Sequence, residues 1–342
     1  MIPKAHVPLA PYTTFHIGGQ ARFFIEALTK KDIEDAIAFA REQHLPLYPL
    51  GGGSNVLIKD EEIKAVVLRV ANRDISFEND GDDTLLIAGA GMSWDTLVDT
   101  IGARSIFGIE NLAGIPGTLG GAAVQNIGAY GAELSSVFVY ADTINRVTGE
   151  QQCITAREAA FAYRTSFFKT HRDFVITHVA LRFKKGTTAN LSYPGLAQVA
   201  ASGEKLTTPA EIARAVRAIR AKKFPQNAGE GTAGSFFKNP IIARKLADVL
   251  AARWPGLPIF AQEDGRVKVS LAWLLDHALS LKGYATGHVR LYENQPLVIV
   301  ARDGATARDV DAFADTIAER IRTATGITIE REVETVDEKF FS

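Results

Sequence analysis

Apolar residues recur at helical spacing in several stretches of the chain, and each stretch begins behind a residue typical of helix caps. The clearest pattern follows Thr29 and Asp32, which have the spacing of a capping box, and its apolar positions are Ile33, Ala36, Ile37 and Ala40. The other predicted starts are Ser93, Thr208 before Pro209, Asn239 before Pro240, Ser270, and Thr306 with Asp309. The sequence therefore predicts helices throughout the chain.

Short runs of β-branched and aliphatic residues lie between these helices. They predict strands at 46–50, 56–58, 65–70, 84–88, 137–148, 174–183 and 327–336. In the last run a period of two places Glu330, Glu332 and Glu334 on one face, with Ile329 and Val333 on the other. The alternation of helices and strands indicates an α/β or α+β fold.

The composition indicates a globular chain with two or three domains, because 46% of its 342 residues are hydrophobic. The 38 basic and 39 acidic residues give a net charge of −1, which argues against nucleic acid as a partner. Cys153 stands alone, and the seven histidines lack the spacing of a metal site. No signal peptide or membrane-spanning run is visible. We therefore expect a cytoplasmic protein without a metal or a membrane partner.

Two clusters of glycine suggest a nucleotide cofactor. Gly51-Gly-Gly-Ser-Asn55 lies between two predicted strands, and residues 107–134 are rich in glycine yet almost uncharged. Neither cluster has the pattern G-x-G-x-x-G, and residues 229–235 have the spacing of a P-loop without its lysine, so neither common nucleotide signature applies. Successive glycines present backbone N–H groups that can bind a pyrophosphate. A pair of tight turns is the alternative, and two clusters of this length favour the cofactor.

A set of motifs resembles the UDP-N-acetylenolpyruvoylglucosamine reductase family. The motifs are Leu50-Gly-Gly-Gly-Ser-Asn-Val-Leu57, Gly114-Ile-Pro-Gly-Thr-Leu-Gly-Gly-Ala122, Gln125-Asn-Ile-Gly-Ala-Tyr-Gly131, Ala162-Tyr-Arg-Thr-Ser-Phe-Phe-Lys169, Leu191-Ser-Tyr193, Ala233-Gly-Ser-Phe-Phe-Lys-Asn-Pro240 and Glu330-Arg-Glu-Val333. They follow one another over nearly the whole chain. Tyr193 points to the branch of the family with a tyrosine loop that closes over the substrate. Residues 283–296 depart from the family spacing, so Gln295 receives no role.

The resemblance implies a three-domain flavoprotein of the vanillyl-alcohol-oxidase type (PCMH type). Its FAD-binding subdomains would span 1–70 and 71–224, its substrate-binding domain 225–336, and its tail 337–342. FAD is expected to be non-covalent, because the first glycine loop has no histidine. The residues implied to bind FAD are Gly51, Gly52, Gly53, Ser54, Asn55, Ile115, Pro116, Gly117, Gly120, Gly121, Gln125, Asn126, Gly128 and Arg220.

The resemblance also implies a reaction, in which a monomeric enzyme uses NADPH and FAD to reduce UDP-N-acetylenolpyruvoylglucosamine to UDP-N-acetylmuramate for peptidoglycan synthesis. Such a reaction needs a hydride at one alkene carbon, a proton at the other, and stabilisation of charge on the carboxylate side. The resemblance assigns Ser235 as the proton donor, with Arg164 and Glu332 beside the substrate carboxylate. Arginine suits this position because a guanidinium can hold a carboxylate through two hydrogen bonds. The residues implied to bind the substrate are Tyr163, Tyr193, Lys223, Asn239 and Lys282.

Each of these residues has a structural alternative. Ser235 after Gly234 is typical of a turn, Arg164 of a surface ion pair, and Tyr163 of a core. Two other functions stay open at this point. One is an FAD-dependent oxidase or dehydrogenase that acts on a sugar alcohol or hydroxy acid and has a catalytic base in place of Ser235. The other is a flavin-binding module without chemistry.

Overall fold

The computed structural model describes residues 1–337 and Phe340, so part of the predicted tail at 337–342 lies outside the described residues. Its strands are β1 (Lys4–Pro8), β2 (Gln20–Ala27), β3 (Leu47–Leu50), β4 (Val56–Ile58), β5 (Ile63–Val70), β6 (Ile75–Asp80), β7 (Asp83–Gly89), β8 (Gly128–Ala129), β9 (Ala132–Glu133), β10 (Phe138–Asn145), β11 (Gln151–Thr155), β12 (Phe174–Phe183), β13 (Glu230–Gly231), β14 (Ile241–Ile242), β15 (Ile259–Ala261), β16 (Val267–Val269), β17 (Ala285–Thr286), β18 (Val289–Tyr292), β19 (Gln295–Arg302) and β20 (Glu334–Val336).

The α-helices are α1 (Lys30–Glu42), α2 (Trp94–Gly102), α3 (Leu119–Gln125), α4 (Phe167–Thr170), α5 (Pro194–Ala201), α6 (Pro209–Ala221), α7 (Arg244–Arg253), α8 (Leu271–Trp273) and α9 (Ala307–Thr325). A π-helical turn, Leu274–Ala278, follows α8. Short 3-10 turns lie at Ala10–Tyr12, Glu110–Leu112 and Leu134–Ser136.

The chain divides into two compact units. Unit 1 contains residues 1–7, 21–52 and 64–220, and unit 2 contains residues 8–20, 53–63 and 221–342. The change at residues 220 and 221 lies close to the predicted boundary at 224 and 225. The division into three domains stays a prediction.

In the described residues, unit 1 contains two larger sheets and the short antiparallel pair β8-β9. The first has the order β1-β2-β5-β3, with β3 and β5 parallel, and the apolar face of α1 belongs to the same buried core. Thr29 caps α1 and Asp32 returns the hydrogen bond, so the predicted capping box is confirmed. The second sheet is antiparallel, in the order β11-β10-β12-β7-β6, and α3 lies against β7 and β12. The two sheets fall on either side of residue 70 along the sequence.

Unit 2 is built around α9 and a sheet in the order β13-β19-β18-β17. Thr306 and Asp309 form the second predicted capping box, and the buried face of α9 carries Val310, Phe313, Ile317 and Ile321. A smaller sheet has the order β14-β16-β15, and β20 pairs in parallel with β4. Unit 2 therefore has a hydrophobic core of its own.

Two predictions about local structure were wrong. Asn239 does not begin a helix, because residues 241 and 242 form β14 and α7 begins only at Arg244. The side chain of Asn239 instead accepts a hydrogen bond from the N–H of Leu271, at the start of α8. The predicted strand at 327–336 is shorter, since only Glu334–Val336 is a strand, although Ile327 and Ile329 are buried as the alternation predicted.

Candidate active site

Gly51 and Gly52, which begin the first glycine cluster, meet the second cluster within unit 1. A Cβ added at Gly52 would lie 2.6 Å from the Cα of Gly117, and one added at Gly51 would lie 2.7 Å from the Oγ1 of Thr118. A side chain at Gly52 would therefore force the two loops apart, whereas one at Gly51 would meet the Thr118 hydroxyl. Within the described part of the chain, the N–H groups of Gly52, Gly117 and Thr118 have no hydrogen-bond acceptor. The loops thus offer adjacent backbone donors, which suit a pyrophosphate.

Other glycines of the second cluster have a packing role. A Cβ at Gly120 would lie 2.9 Å from the Cβ of Ala90, and the N–H of Gly120 donates to the Ala90 carbonyl at 2.8 Å. Gly121 has room for a side chain, since the nearest atom to its added Cβ is the Thr118 Oγ1 at 3.5 Å. Ile115 is half-buried and Pro116 is exposed in the loop that precedes Gly117.

An ion pair between α2 and α6 holds the start of the second loop. The carboxylate of Asp95 accepts from the N–H of Gly114 at 2.6 Å and from Nη2 of Arg217 at 2.8 Å. Arg217 also bonds Asp99, at 2.7 Å. The Nε of Arg220 donates to the Gly114 carbonyl at 3.1 Å. Gly114 is therefore fixed at both its N–H and its carbonyl.

Tyr130 connects Arg220 to Tyr193, two residues with predicted roles. The Arg220 side chain hydrogen-bonds Tyr130, and burial lowers the pKa of this guanidinium while it raises the pKa of the Tyr130 hydroxyl. The rings of Tyr130 and Tyr193 meet edge to face, with centroids 4.8 Å apart. Asn111, which is buried, donates to the backbone carbonyls of Tyr130 and Asn190 at 2.8 Å each. The structure thus brings together the predicted FAD residue Arg220 and the predicted substrate residue Tyr193.

The motif at 125–131 is tied to the loop that carries Arg164. Gln125 accepts a hydrogen bond from Lys169 at 2.7 Å. Asn126 is buried in the left-handed conformation, and its amide donates to the Ala162 carbonyl at 3.1 Å. The carbonyl of Gly128 accepts from Arg164 at 2.7 Å. The side chains of Gln125 and Asn126 therefore help to position residues 162–169.

Tyr163 and Arg164 form the tip of a tight hairpin. The N–H groups of Ala162 and Thr165 donate to each other's carbonyls at 3.1 Å. Arg164 has φ of +56°, a strained conformation for a residue other than glycine. Its guanidinium lies 5.3 Å from the ring centroid of Tyr163, and both side chains are half-buried. The pair therefore forms one partly exposed cationic and aromatic feature of unit 1.

Ser235 lies in an extended segment of unit 2. It follows Gly234, which has φ of +78°, and forms a β-bridge with Val298 on β19. The next residue, Phe236, donates its N–H to the Leu297 carbonyl at 2.8 Å. Ser235 is half-buried, and its hydroxyl makes no hydrogen bond to any residue that the structure describes. The hydroxyl is thus held on a defined backbone and remains available to a ligand.

The segment that carries Glu332 lies beside the segment that carries Ser235. The N–H of Glu332 donates to the Phe236 carbonyl at 2.8 Å, and the N–H of Lys238 donates to the Glu330 carbonyl at 2.9 Å. Glu330 is exposed and pairs with Lys238 at 3.0 Å, whereas the Glu332 side chain is half-buried. The carbonyl of Glu332 accepts from the Asn55 side chain at 3.1 Å. Asn55 is among the residues predicted to bind FAD, and that role stays a prediction.

The remaining predicted residues are divided between the units. Lys282 is near Asp276, at 3.4 Å, and is about half exposed. Lys223 and Ser54 are half-buried in unit 2, and Gly53 has φ of +62°. The candidate residues of unit 2 are Gly53, Ser54, Asn55, Lys223, Ser235, Asn239, Lys282 and Glu332. The candidate residues of unit 1 are Gly51, Gly52, Ile115, Pro116, Gly117, Gly120, Gly121, Gln125, Asn126, Gly128, Tyr163, Arg164, Tyr193 and Arg220.

Comparison with known proteins identifies the family. Residues 21–153 match the family model described as FAD binding domain, and residues 225–336 match UDP-N-acetylenolpyruvoylglucosamine reductase, C-terminal domain. The UDP-N-acetylenolpyruvoylglucosamine reductase of Pseudomonas aeruginosa is 38% identical over 332 residues, which are 96% of this chain and 97% of that protein. The chain belongs to the UDP-N-acetylenolpyruvoylglucosamine reductase family. The reductase of Burkholderia multivorans is 39% identical over 333 residues, 95% of this chain and 94% of its own length.

A solved reductase structure has the same fold. The crystal structure of UDP-N-acetylenolpyruvylglucosamine reductase from Thermus caldophilus covers 98% of this chain and 100% of its own, with a TM-score of 0.69 and 24% identity. The predicted mixed α/β flavoprotein fold is therefore confirmed. In the described part of the chain, no helix is long and apolar enough to cross a membrane, and no group of three or more metal-ligating side chains is present.

Three residues around the site of this reductase were not predicted. Tyr130 stands inside the motif at 125–131, so the motif itself was the available signal. Asp95 and Arg217 lie on α2 and α6, and nothing in their local sequence distinguishes them from an ordinary helix surface. Only the tertiary structure shows that they hold the Gly114 loop.

Proposed function

We propose that this chain is an NADPH-dependent and FAD-dependent reductase that converts UDP-N-acetylenolpyruvoylglucosamine to UDP-N-acetylmuramate. The observation that carries the proposal is in unit 2, which contains the match to the reductase's own C-terminal domain. There, Ser235 has an available hydroxyl and its segment is hydrogen-bonded to the segment of Glu332. The names and coverage of the relatives support the same reaction.

The glycine loops of unit 1 fit the pyrophosphate of FAD. Gly52, Gly117 and Thr118 supply unpartnered backbone donors in the described structure, and Gly52 and Gly117 approach each other backbone to backbone. Arg220 and the rest of the predicted set, with Asn55 acting through its backbone rather than its side chain, complete the proposed cofactor site. Bound FAD supplies a hydride acceptor for NADPH and a hydride donor for the alkene. The attachment is non-covalent, which the absence of histidine from residues 51–55 supports.

Three residues carry the proposed chemistry at the enolpyruvyl group. Arg164 binds the substrate carboxylate, because its permanent charge and its two parallel donors match a carboxylate. Glu332 is assigned to the same substrate carboxylate, where charge develops as the hydride arrives. Ser235 donates a proton from Oγ to the alkene carbon that does not receive the hydride. The strained conformation of Arg164 is consistent with a residue held for function.

Lys223, Lys282, Tyr193 and Asn239 bind the nucleotide end of the substrate, where the two lysines carry charge suited to a diphosphate. Tyr163 is a further substrate-binding residue. Tyr193 precedes α5, in the segment proposed to close over the substrate. The proposal also includes a cytoplasmic monomer whose ligands are small molecules, and the net charge of −1 and the single cysteine support this setting.

The replacement Ser235→Ala tests the function. Reduction of FAD by NADPH needs no proton on a substrate carbon, so its rate should stay near that of the unmodified protein. Reoxidation by the enolpyruvyl nucleotide sugar should slow by about a hundredfold or more, which is within the range that general acid catalysis contributes. Stopped-flow absorbance of the flavin separates the two steps.

The matched control for this experiment is Ser202→Ala, which removes an exposed hydroxyl that donates to the Val199 carbonyl at 2.7 Å, at the end of α5. It should affect neither step. Equal slowing of both steps in Ser235→Ala would mean that Ser235 shapes the site, and unchanged reoxidation would remove it from the mechanism. Failure of the unmodified, reduced protein to react with the enolpyruvyl nucleotide sugar would refute the proposed reaction itself.

A further inference from the structure

The last residue of the first glycine loop is bonded twice to the segment that carries Glu332. The side-chain Nδ2 of Asn55 donates to the Glu332 carbonyl at 3.1 Å. The backbone carbonyl of Asn55 accepts from the N–H of Glu334 at 3.0 Å. Both contacts lie inside unit 2 and connect residues far apart in the sequence. Asn55 therefore hydrogen-bonds the Glu332 segment through both its side chain and its backbone.

The surrounding strands make this contact a fixed one. β4 begins directly after Asn55, and its Val56 pairs in parallel register with Glu334 of β20. The register continues to Ile58 and Val336, both buried. On its other side, the Glu332 segment is bonded to Phe236 through the Glu332 N–H. The peptide groups on both sides of the Glu332 Cα are thus engaged, one by Asn55 and one by Phe236.

This arrangement determines where the Glu332 side chain can point. A side chain leaves the Cα in a direction set by the backbone torsions on either side of it. The Phe236 bond constrains the peptide before Glu332, and the Asn55 bond constrains the peptide after it. Asparagine suits the second task because its amide can donate while its own backbone carbonyl accepts from Glu334.

We propose that Asn55 is a positioning residue for Glu332, and that its side chain is not a ligand of FAD. This inference rests on the proposed function, in which Glu332 acts at the substrate carboxylate. The amide of Asn55 holds the Glu332 carbonyl and so keeps the carboxylate directed at its position beside the substrate. The reaction with the enolpyruvyl group should then depend on Asn55, whereas FAD binding and reduction by NADPH should not.

The experiment uses the FAD-loaded protein with two replacements at residue 55. Asn55→Ala removes the donor, and Asn55→Asp keeps the size of the side chain but places an acceptor against the Glu332 carbonyl. Each should slow reoxidation by the enolpyruvyl nucleotide sugar about five- to thirtyfold, the effect of losing one partly buried hydrogen bond. FAD affinity, titrated with the apoprotein, and the rate of flavin reduction should stay unchanged. Thermal unfolding shows whether each variant is folded.

The matched control is Asn227→Ala. Asn227 is also in unit 2, is exposed, and donates its amide to Glu230 at 3.1 Å. Its replacement should leave reoxidation unchanged. A double-mutant cycle with Glu332→Gln then tests whether Asn55 acts through Glu332. If it does, the variant Asn55→Ala with Glu332→Gln should reoxidise no more slowly than Glu332→Gln alone.

Three results would overturn the positioning role while leaving the proposed function intact. The first is that the residue 55 variants lose FAD affinity in parallel with the rate of reoxidation. The second is that folded residue 55 variants reoxidise at the wild-type rate although Glu332→Gln is slow. The third is that the effects of Asn55→Ala and Glu332→Gln on the reoxidation rate are fully additive in the double variant. If Glu332→Gln itself reoxidises at the wild-type rate, the assigned role of Glu332 fails, and the positioning role of Asn55 fails with it.

Discussion

The close approach of Gly52 to Gly117 gives a quantitative prediction for Gly52→Ala. The added Cβ would lie 2.6 Å from the Cα of Gly117 and 3.1 Å from its carbonyl carbon. Non-bonded carbons pack at about 3.5–4.0 Å, so the two loops must separate by about 1 Å. Both partners are backbone atoms, and a change of rotamer cannot relieve the contact.

The expected magnitude follows from the cost of overpacking. Inserting a methyl group into a tightly packed site typically costs about 1–3 kcal/mol. The separation of the loops also moves the backbone donors that are proposed to hold the pyrophosphate. If the cost falls on the FAD-bound state, FAD affinity should decrease about five- to 150-fold.

The assay is titration of the apoprotein with FAD, followed by flavin fluorescence, together with the flavin content of the purified variant. The control is Gly102→Ala at the end of α2, where the added Cβ would lie 3.7 Å from its nearest neighbour and FAD affinity should not change. Wild-type affinity in Gly52→Ala would refute the argument from loop contact. Equal losses in both variants would point to a general effect on unit 1.

Two further predictions concern α2 and α6. Asp95→Ala frees the N–H of Gly114 and should weaken FAD binding about tenfold, as expected for the loss of a charged hydrogen bond. Asp99→Ala, which removes only a contact to Arg217, should have little effect on FAD binding. Titration of both variants with FAD compares their affinities. Hydrogen bonds from Thr207 lower the pKa of Glu211 to about 2, so its contribution to stability should be present above pH 4.5 and lost as the pH falls toward 2. The stability difference between wild type and Glu211→Gln, measured by urea unfolding, should shrink over that range, and a constant difference would contradict the linkage.

Features encoded by neighbouring residues were predictable from the sequence. The capping boxes at Thr29 and Thr306 depend on residues three positions apart, and both helices begin where the sequence predicted. Likewise, the strand predicted at 174–183 is β12 itself. Short strands such as β15 and β17 escaped prediction because two or three residues carry too little periodicity.

Features that depend on distant residues were not predictable in this way. Asn239 has the local signals of a helix start, yet its side chain bonds Leu271, so a tertiary contact replaced the local one. The glycine loops were found because their composition is unusual, but their mutual approach appears only in the fold. The bond from Asn55 to Glu332 could not be predicted from the sequence either, because the two residues are 277 positions apart.

The pairing of β4 with β20 constrains the order in which the protein can be completed during synthesis. Unit 1 ends at Arg220. Unit 2 combines residues 8–20 and 53–63 with the segment after residue 220, so it cannot fold completely until that segment has been made. A chain is made from its N-terminus, so β4 leaves the ribosome long before its partner strand exists. Contacts this far apart also slow folding, since a long loop must close before they form.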